Sequence, residues 1–283
     1  MTNPRTNRKI IISRSGETDI AIDVSHLTKQ FLIPRERKRS IFEHVTGLLK
    51  GGSYRYELFS ALNDVSFTVK KGEAFGVIGP NGSGKSTLLK VLAGVLYADT
   101  GTVEINGLVS PFLELGVGFT PDLTAKENVY LYGAIMGIPT KEIDQRYEDI
   151  FTFAELKRFE NMKLRHFSSG MILRLAFSTA VQTDPEVMLV DEGLAVGDAS
   201  FNKKSWEKID ELQKKGTTIL LVSHDLGVIS RLCSKCLLLQ KGKVVMTGNT
   251  AEVIEMYKKI IERGEAVENM KRKKMNIITL TEK

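Results

Sequence analysis

The stretch "GPNGSGKST", Gly79–Thr87, stands between the apolar run "EAFGVIG" and the helix-like run "LLKVLAGVL". Its small residues let successive backbone N–H groups face a polyphosphate, and Lys85 adds a cation for the β- and γ-phosphates. Ser86 can set a hydroxyl on Mg²⁺, and Thr87 can reach the α-phosphate near the helix N-terminus. A strand before and a helix after are the context that G-x-x-x-x-G-K-[ST] demands. The stretch predicts a nucleoside triphosphate site held by Gly79, Pro80, Asn81, Gly82, Ser83, Gly84, Lys85, Ser86 and Thr87.

Working outward, "IAIDVSHL" (20–27) and "LNDVSFTV" alternate like half-buried strands. "EVMLVDE", "TTILLVS" and "CLLLQ" are short apolar strands separated by helical segments. Such alternation predicts an α/β fold, a parallel sheet covered by helices. Residues 122–165 lack strand patterning and read as a helical lobe inserted into that fold, with "TKEIDQRYEDIFTFAEL" its clearest helix. In "VMLVDE" the apolar run delivers Asp191 to the end of a buried strand, where it can hold Mg²⁺ directly or through water. Glu192 follows it, and a carboxylate beside Mg²⁺ serves as a ligand or as the base that orients an attacking water. His224 ends "LLVSH". A lone histidine is more often structural, but at a sheet mouth it can donate to a γ-phosphate or hold the attacking water.

"HFSSGMILRLAFSTA", residues 166–180, is a second anion-seeking stretch. Two serines and a glycine open an apolar helical run, and the N–H groups of a helix N-terminus attract anions.

Composition sets limits. The chain has 283 residues, 42% of them hydrophobic, enough for one large α/β domain or two joined lobes. No run approaches the roughly 20 apolar residues that span a bilayer. The basic first segment has only "IIIS" as its apolar core, too short for a secretory signal, so a cytoplasmic location is expected. The formal charge of +6 is concentrated in "RERKR" (35–39) and "KRKK" (271–274). Such runs are commonly solvated surface, and otherwise suit anionic lipid or nucleic acid. The only cysteines, Cys233 and Cys236, form a CxxC without a second pair, so reduced thiols at a helix-to-strand junction are expected rather than zinc.

Together these motifs resemble the ATP-binding cassette family over about residues 20–255. "GPNGSGKST" matches its phosphate loop, "VMLVDE" its acidic strand with catalytic glutamate, and "SHD" its switch histidine. The resemblance implies a P-loop NTPase with a mainly parallel core sheet, an antiparallel β edge and an inserted helical subdomain, about 113–182. It makes Lys85, Glu192 and His224 the catalytic residues, and Ser86 and Asp191 the metal holders. "FSSGM" resembles the family's signature, so Ser168, Ser169 and Gly170 are expected at the γ-phosphate of ATP bound to the opposite subunit. Asp198 of "VGD" falls at the D-loop aspartate. Phe31 resembles the aromatic that stacks on adenine, with Phe59 as the alternative.

Ser169 and Met171 depart from the usual signature, and this form is similar to that of polysaccharide exporters for O-antigen, capsule or teichoic acid. The usual Q-loop glutamine is absent from "LELGVGFTPDL", where Glu114 is the nearest polar candidate for its metal or water contact. A basic insertion, about 34–58, carries Ile41, Phe42, Val45, Leu48 and Leu49 on one helical face. It suits a membrane surface beside a transporter, or packing on its own domain. Residues 1–18 read as a loose tail and 256–283 as a helical, basic tail. The resemblance implies an ATP- and Mg²⁺-dependent homodimer serving two copies of a membrane permease, at the cytoplasmic face of the membrane. The cargo is expected to be a lipid-linked glycan, with no nucleic acid partner. The competing classes are a soluble cassette ATPase working on ribosomes or DNA, and a transporter of another cargo. A single cassette without sustained heptads argues against the first.

Overall fold

Strands and helices follow the apolar patterns of the chain. The computed structural model describes residues 9–13, 18–34, 56–112, 118–191 and 198–263. In chain order the strands are β1 (Lys9–Ser13), β2 (Ile20–Pro34), β3 (Tyr56–Lys70), β4 (Ala74–Ile78) and β5 (Thr100–Asn106). After them come β6 (Val109–Phe112), β7 (Val187–Val190), β8 (Thr218–Val222), β9 (Lys235–Gln240) and β10 (Lys243–Asn249). The helices are α1 (Lys85–Leu92), α2 (Ala125–Ile135), α3 (Thr140–Ala154), α4 (Ser169–Gln182), α5 (Ala199–Lys214) and α6 (Leu226–Leu232).

β4, β7 and β8 are buried at every residue, as strands covered on both faces must be. They form the middle of a six-stranded sheet in the order β10-β9-β4-β8-β7-β6. All neighbours in it are parallel except β10, which runs antiparallel to β9 at the edge. β3 instead alternates over its second half, with Val65, Phe67 and Val69 buried and Ser66, Thr68 and Lys70 exposed. It belongs to a second sheet, β1-β5-β2-β3, with one face on the core. One hydrophobic cluster fills the space between the sheets around α1. A second lies behind the parallel sheet under α4, α5 and α6, and a third is the core of the helical lobe.

Three expectations need correction. Residues 1–18 are not wholly a loose tail, because β1 pairs in parallel with β5 from Lys9↔Thr102 to Ser13↔Asn106. Pairing there satisfies N–H and C=O groups on the outer edge of β5, and the β-branched run "III" suits a strand. A run that short shows no alternation, so nothing in the sequence alone betrays it. The first cassette strand does not stop at residue 27 but runs to Pro34, paired with β3 as far as Pro34↔Tyr56. The C-terminal boundary at 255 cuts through helical residues 250–263. Val253 and Ile254 are buried in the second cluster, and Tyr257 and Ile260 pack against it.

The loop entering the helical lobe is pinned by one fully buried asparagine. Asn128 Oδ1 accepts from Thr120 N–H at 2.6 Å. Its Nδ2 donates to the carbonyls of Thr120 (3.1 Å), Leu123 (3.2 Å) and Thr124 (2.8 Å). The loop is tied in turn to the segment before α4, where Leu164 N–H donates to Leu123 O (3.0 Å) and Arg165 N–H to Pro121 O (2.9 Å). Asn128→Ala strands these buried groups without a partner, and we expect a loss of about 2–4 kcal/mol in urea unfolding. A change below about 0.5 kcal/mol would show that the loop is held by its main-chain bonds alone.

The CxxC reading is supported. Cys233 caps α6 and Cys236 lies in β9, both buried and free. Burial pushes their thiols up to about 12 and about 11, so they stay protonated at neutral pH. Among the described residues no group of His, Cys, Asp or Glu is arranged to hold a metal by itself.

Candidate nucleotide site

β4 delivers the phosphate loop. Gly79 has φ +150°, and a Cβ there would lie 2.1 Å from the carbonyl oxygen of Leu239 on β9. Gly84 has φ +109°, and its Cβ would meet Ala61 O at 2.5 Å. The chain's own packing therefore demands glycine at both ends of the loop. Gly242 N–H donates to Ser83 O at 2.9 Å, bracing the loop from the β9–β10 turn. Lys85 is buried, and its Nζ donates to Gly79 O (2.8 Å) and Pro80 O (3.2 Å), which holds the ammonium across the loop. Ser83 Oγ is buried and has no hydrogen-bond partner among the described residues. Next to it, Gly84 caps α1, whose N-terminus carries partial positive charge. A loop closed to a Cβ at Gly79 and Gly84, a cation and an unsatisfied hydroxyl suit a polyphosphate. α1 itself ends at Leu92, earlier than "LLKVLAGVL" suggests, because Gly94 turns left-handed at φ +73°.

The sheet order brings the remaining groups alongside. β4, β8 and β7 are adjacent, so Gly79, His224 and Asp191 leave the carboxyl ends of neighbouring parallel strands, about 5 Å apart per strand. Ligands of open α/β sheets bind at that end. Asp191 is half-buried and His224 exposed. His224 sits in a fixed turn, with Asp225 N–H donating to Ser223 Oγ at 3.0 Å. The Asp225 carboxylate then caps α6 by accepting from Gly227 N–H (2.8 Å) and Val228 N–H (3.2 Å).

Phe31 and Phe59 are direct cross-strand partners, so both rings lie on one face of the β2–β3 pair. Ala61, two residues beyond Phe59, is the residue against which Gly84 closes. Phe59 is the more exposed, and Lys29 Nζ lies 5.3 Å from the Phe31 ring centroid. Glu192, Glu114 and the insertion with Ile41, Phe42, Val45, Leu48 and Leu49 lie outside the described residues, as does the basic run 271–274.

The second anion-seeking stretch starts its helix where the sequence suggests. Ser168 caps α4, its Oγ accepting from Met171 N–H at 3.2 Å. Met171 and Ile172 pack against the core of the helical lobe, anchoring the first turn from beneath. That explains an apolar residue at position 171. Gly170 contrasts with the loop glycines, because a Cβ there would meet nothing nearer than Ser168 Oγ at 3.9 Å. Ser168, Ser169, Gly170 and Asp198 line one cleft of about 510 Å³. No residue of Gly79–Thr87 lines it, so the phosphate loop and this cleft of one chain are separate.

The sequence reading missed Arg174, which lines the same cleft and joins Asp198 at 2.5 Å. Helical spacing puts Arg174 one turn beyond Gly170 on the same face, but nothing in the sequence names its partners.

A family profile described as ABC transporter matches residues 62–195. The chain is 43% identical to the ABC transporter protein AbcA of Aeromonas salmonicida over 72% of this chain and 67% of that one. It is 41% identical to the O-antigen export system ATP-binding protein RfbB of Klebsiella pneumoniae, over 84% and 97%. With the teichoic acids export ATP-binding protein TagH of Lactococcus lactis it shares 38% over 86% of this chain and 52% of that one. Among solved structures, an ATP-binding subunit of an ABC transporter has the same fold, with TM-score 0.66 at 24% identity over 84% of this chain and 93% of that one. A dimeric bacterial ABC transporter cassette superposes with TM-score 0.63 at 25% identity over 81% and 98%. The chain belongs to the ABC transporter family as an ATP-hydrolysing subunit, in the branch that holds the O-antigen and teichoic acid export ATP-binding proteins.

Proposed function

We propose that this protein is the ATPase of a polysaccharide exporter, a homodimer that closes on two ATP molecules and drives a separate membrane permease. The observation that carries the reading is the separation of the Gly79–Thr87 loop from the Ser168–Gly170 cleft. One chain then supplies the cradle, and a second copy supplies the capping helix. Gly170 supports this, since nothing among the described residues requires a glycine there. The partner phosphate does.

Lys85 and the loop N–H groups bind the β- and γ-phosphates, and Phe31 or Phe59 stacks on the base. Ser86 and Asp191 are the holders of Mg²⁺, which when bound supplies positive charge beside the transferred phosphate. Glu192 orients the attacking water and takes its proton, while His224 holds the γ-phosphate. Reopening is passed to the permease near Glu114. Among the described residues no helix is long and apolar enough to cross a membrane, so translocation falls to the permease. The names of the relatives, O-antigen export and teichoic acids export ATP-binding proteins, support a glycan as the cargo; to that we add two permease copies at the cytoplasmic face and a lipid link on the glycan.

Gly170→Asp tests the dimer. The open space at Gly170 lets the fold accept the side chain, while its charge opposes the γ-phosphate. We expect a fluorescent ATP analogue to bind the isolated subunit within about 3-fold of its normal affinity, and ATP-driven dimers to vanish. Light scattering in a Glu192→Gln background gives the answer. Dimers that persist would contradict the trans contact.

A further inference from the structure

We propose that Arg174 is a positioning residue for the partner-facing ATP contact, holding Asp198 in fixed register with Ser168–Gly170. The inference rests on the reading that this cleft serves ATP bound to a second copy.

Arg174 lies on α4 just past the capping serine, and its side chain is only 19% exposed. One terminal nitrogen donates to Glu155 Oε2 at 3.0 Å and the other to Asp198 Oδ2 at 2.5 Å. The guanidinium carbon lies over the Phe201 ring, 4.8 Å from its centroid. A planar fork with two carboxylates and one aromatic face satisfied has little freedom left, and an ammonium cannot reproduce that set.

Its partners come from different elements. Glu155 caps the C-terminus of α3 in a left-handed conformation, φ +61°. It is held from the other side by Lys204 at 3.3 Å, which also donates to Phe153 O at 2.8 Å. Asp198 caps α5, its Oδ1 accepting from Phe201 N–H at 2.9 Å. The Phe201 N–H and the Arg174 charge hold the Asp198 carboxyl below the usual range, so it is ionised at neutral pH. Arg174 thus joins the end of α3 and the start of α5 to the helix whose N-terminus faces the cleft. An exposed ion pair does little of this kind, but a stacked, largely covered guanidinium with both carboxylates in reach sets geometry.

The test uses the full chain in the Glu192→Gln background, with Arg174→Gln, Arg174→Lys, Asp198→Asn and the Arg174→Gln/Asp198→Asn double variant. ATP-driven dimerisation is read by light scattering, binding to the monomer with a fluorescent ATP analogue, and folding by thermal unfolding. Arg174→Gln should raise the ATP concentration needed for dimers about tenfold, with monomer binding within about 2-fold. The double variant should be no worse than either single change, because the two residues act as one unit. Arg174→Lys should recover part of the loss. Unchanged dimerisation, strictly additive effects with Asp198→Asn, or an equal loss of monomer binding would overturn the proposal. If Arg174→Gln unfolds, Arg174→Lys paired with Asp198→Asn gives the same cycle. Gly170→Asp separates the two levels. Dimers lost with Gly170→Asp but kept in every Arg174 variant overturn the role of Arg174 alone. Dimers kept with Gly170→Asp overturn the cleft reading, and this proposal with it.

Discussion

Glu192→Gln is expected to leave ATP binding intact while turnover falls about 10²–10⁴-fold, the range attributed to a positioned general base. The amide keeps the size and hydrogen-bonding reach of the carboxylate. What it loses is the negative charge that, in the proposed role, orients water and accepts its proton. With hydrolysis blocked and phosphate binding retained, the ATP-bound dimer should accumulate and be visible in light scattering. The permease complex purified with this variant should show the same loss in phosphate release. Near-normal hydrolysis would remove Glu192 from the role of base and transfer it to another group at the strand ends, His224 first.

Gly84→Ala should abolish nucleotide binding by deforming the cradle. At φ +109° an L-residue is strained, and the added Cβ lies 2.5 Å from the Ala61 carbonyl oxygen, a backbone atom that cannot swing away. Either the loop or the start of β3 has to shift, and the N–H groups then no longer converge. We expect affinity for ATP to fall more than about 100-fold and stability to drop by about 2–4 kcal/mol. Gly82→Ala is the internal control. Gly82 has φ +74°, but nothing lies within 4 Å of its Cβ, so only left-handed strain of about 1–2 kcal/mol applies. Isothermal titration with ATP beside urea unfolding separates the two. Equal losses at both positions would mean that conformation, not the Ala61 contact, sets the requirement.

The parts of the molecule that were legible are those whose physics is local. The phosphate loop is one contiguous stretch, and its glycines, lysine and hydroxyls act within one turn of chain. α4 begins where its sequence changes from small hydrogen-bonding residues to an apolar run, because Ser168 caps its own helix. β4, β7 and β8 were readable as unbroken apolar runs, since a strand buried on both faces leaves no place for a polar residue. Less was visible where the partner is distant. β1 exists only because β5 offers it an edge, and the last part of β2 is a strand only because Tyr56–Phe59 pairs with it.

The sequence by itself determined the phosphate loop after its strand and the serine-capped start of α4, because these depend on residue types at short spacing. Tertiary structure alone decided which groups meet. The order β4-β8-β7 sets Gly79, His224 and Asp191 side by side, although the chain visits them far apart. Gly84 is obligatory because of Ala61, whereas Gly170 is unconstrained by the described residues of its own chain. Arg174 finds Asp198 across 24 residues, and Glu155 across 19, because α3, α4 and α5 converge on one cleft. Spacing along a chain encodes helices, strands and loops. It does not encode the packing angle that makes a guanidinium on one helix the clamp for the caps of two others.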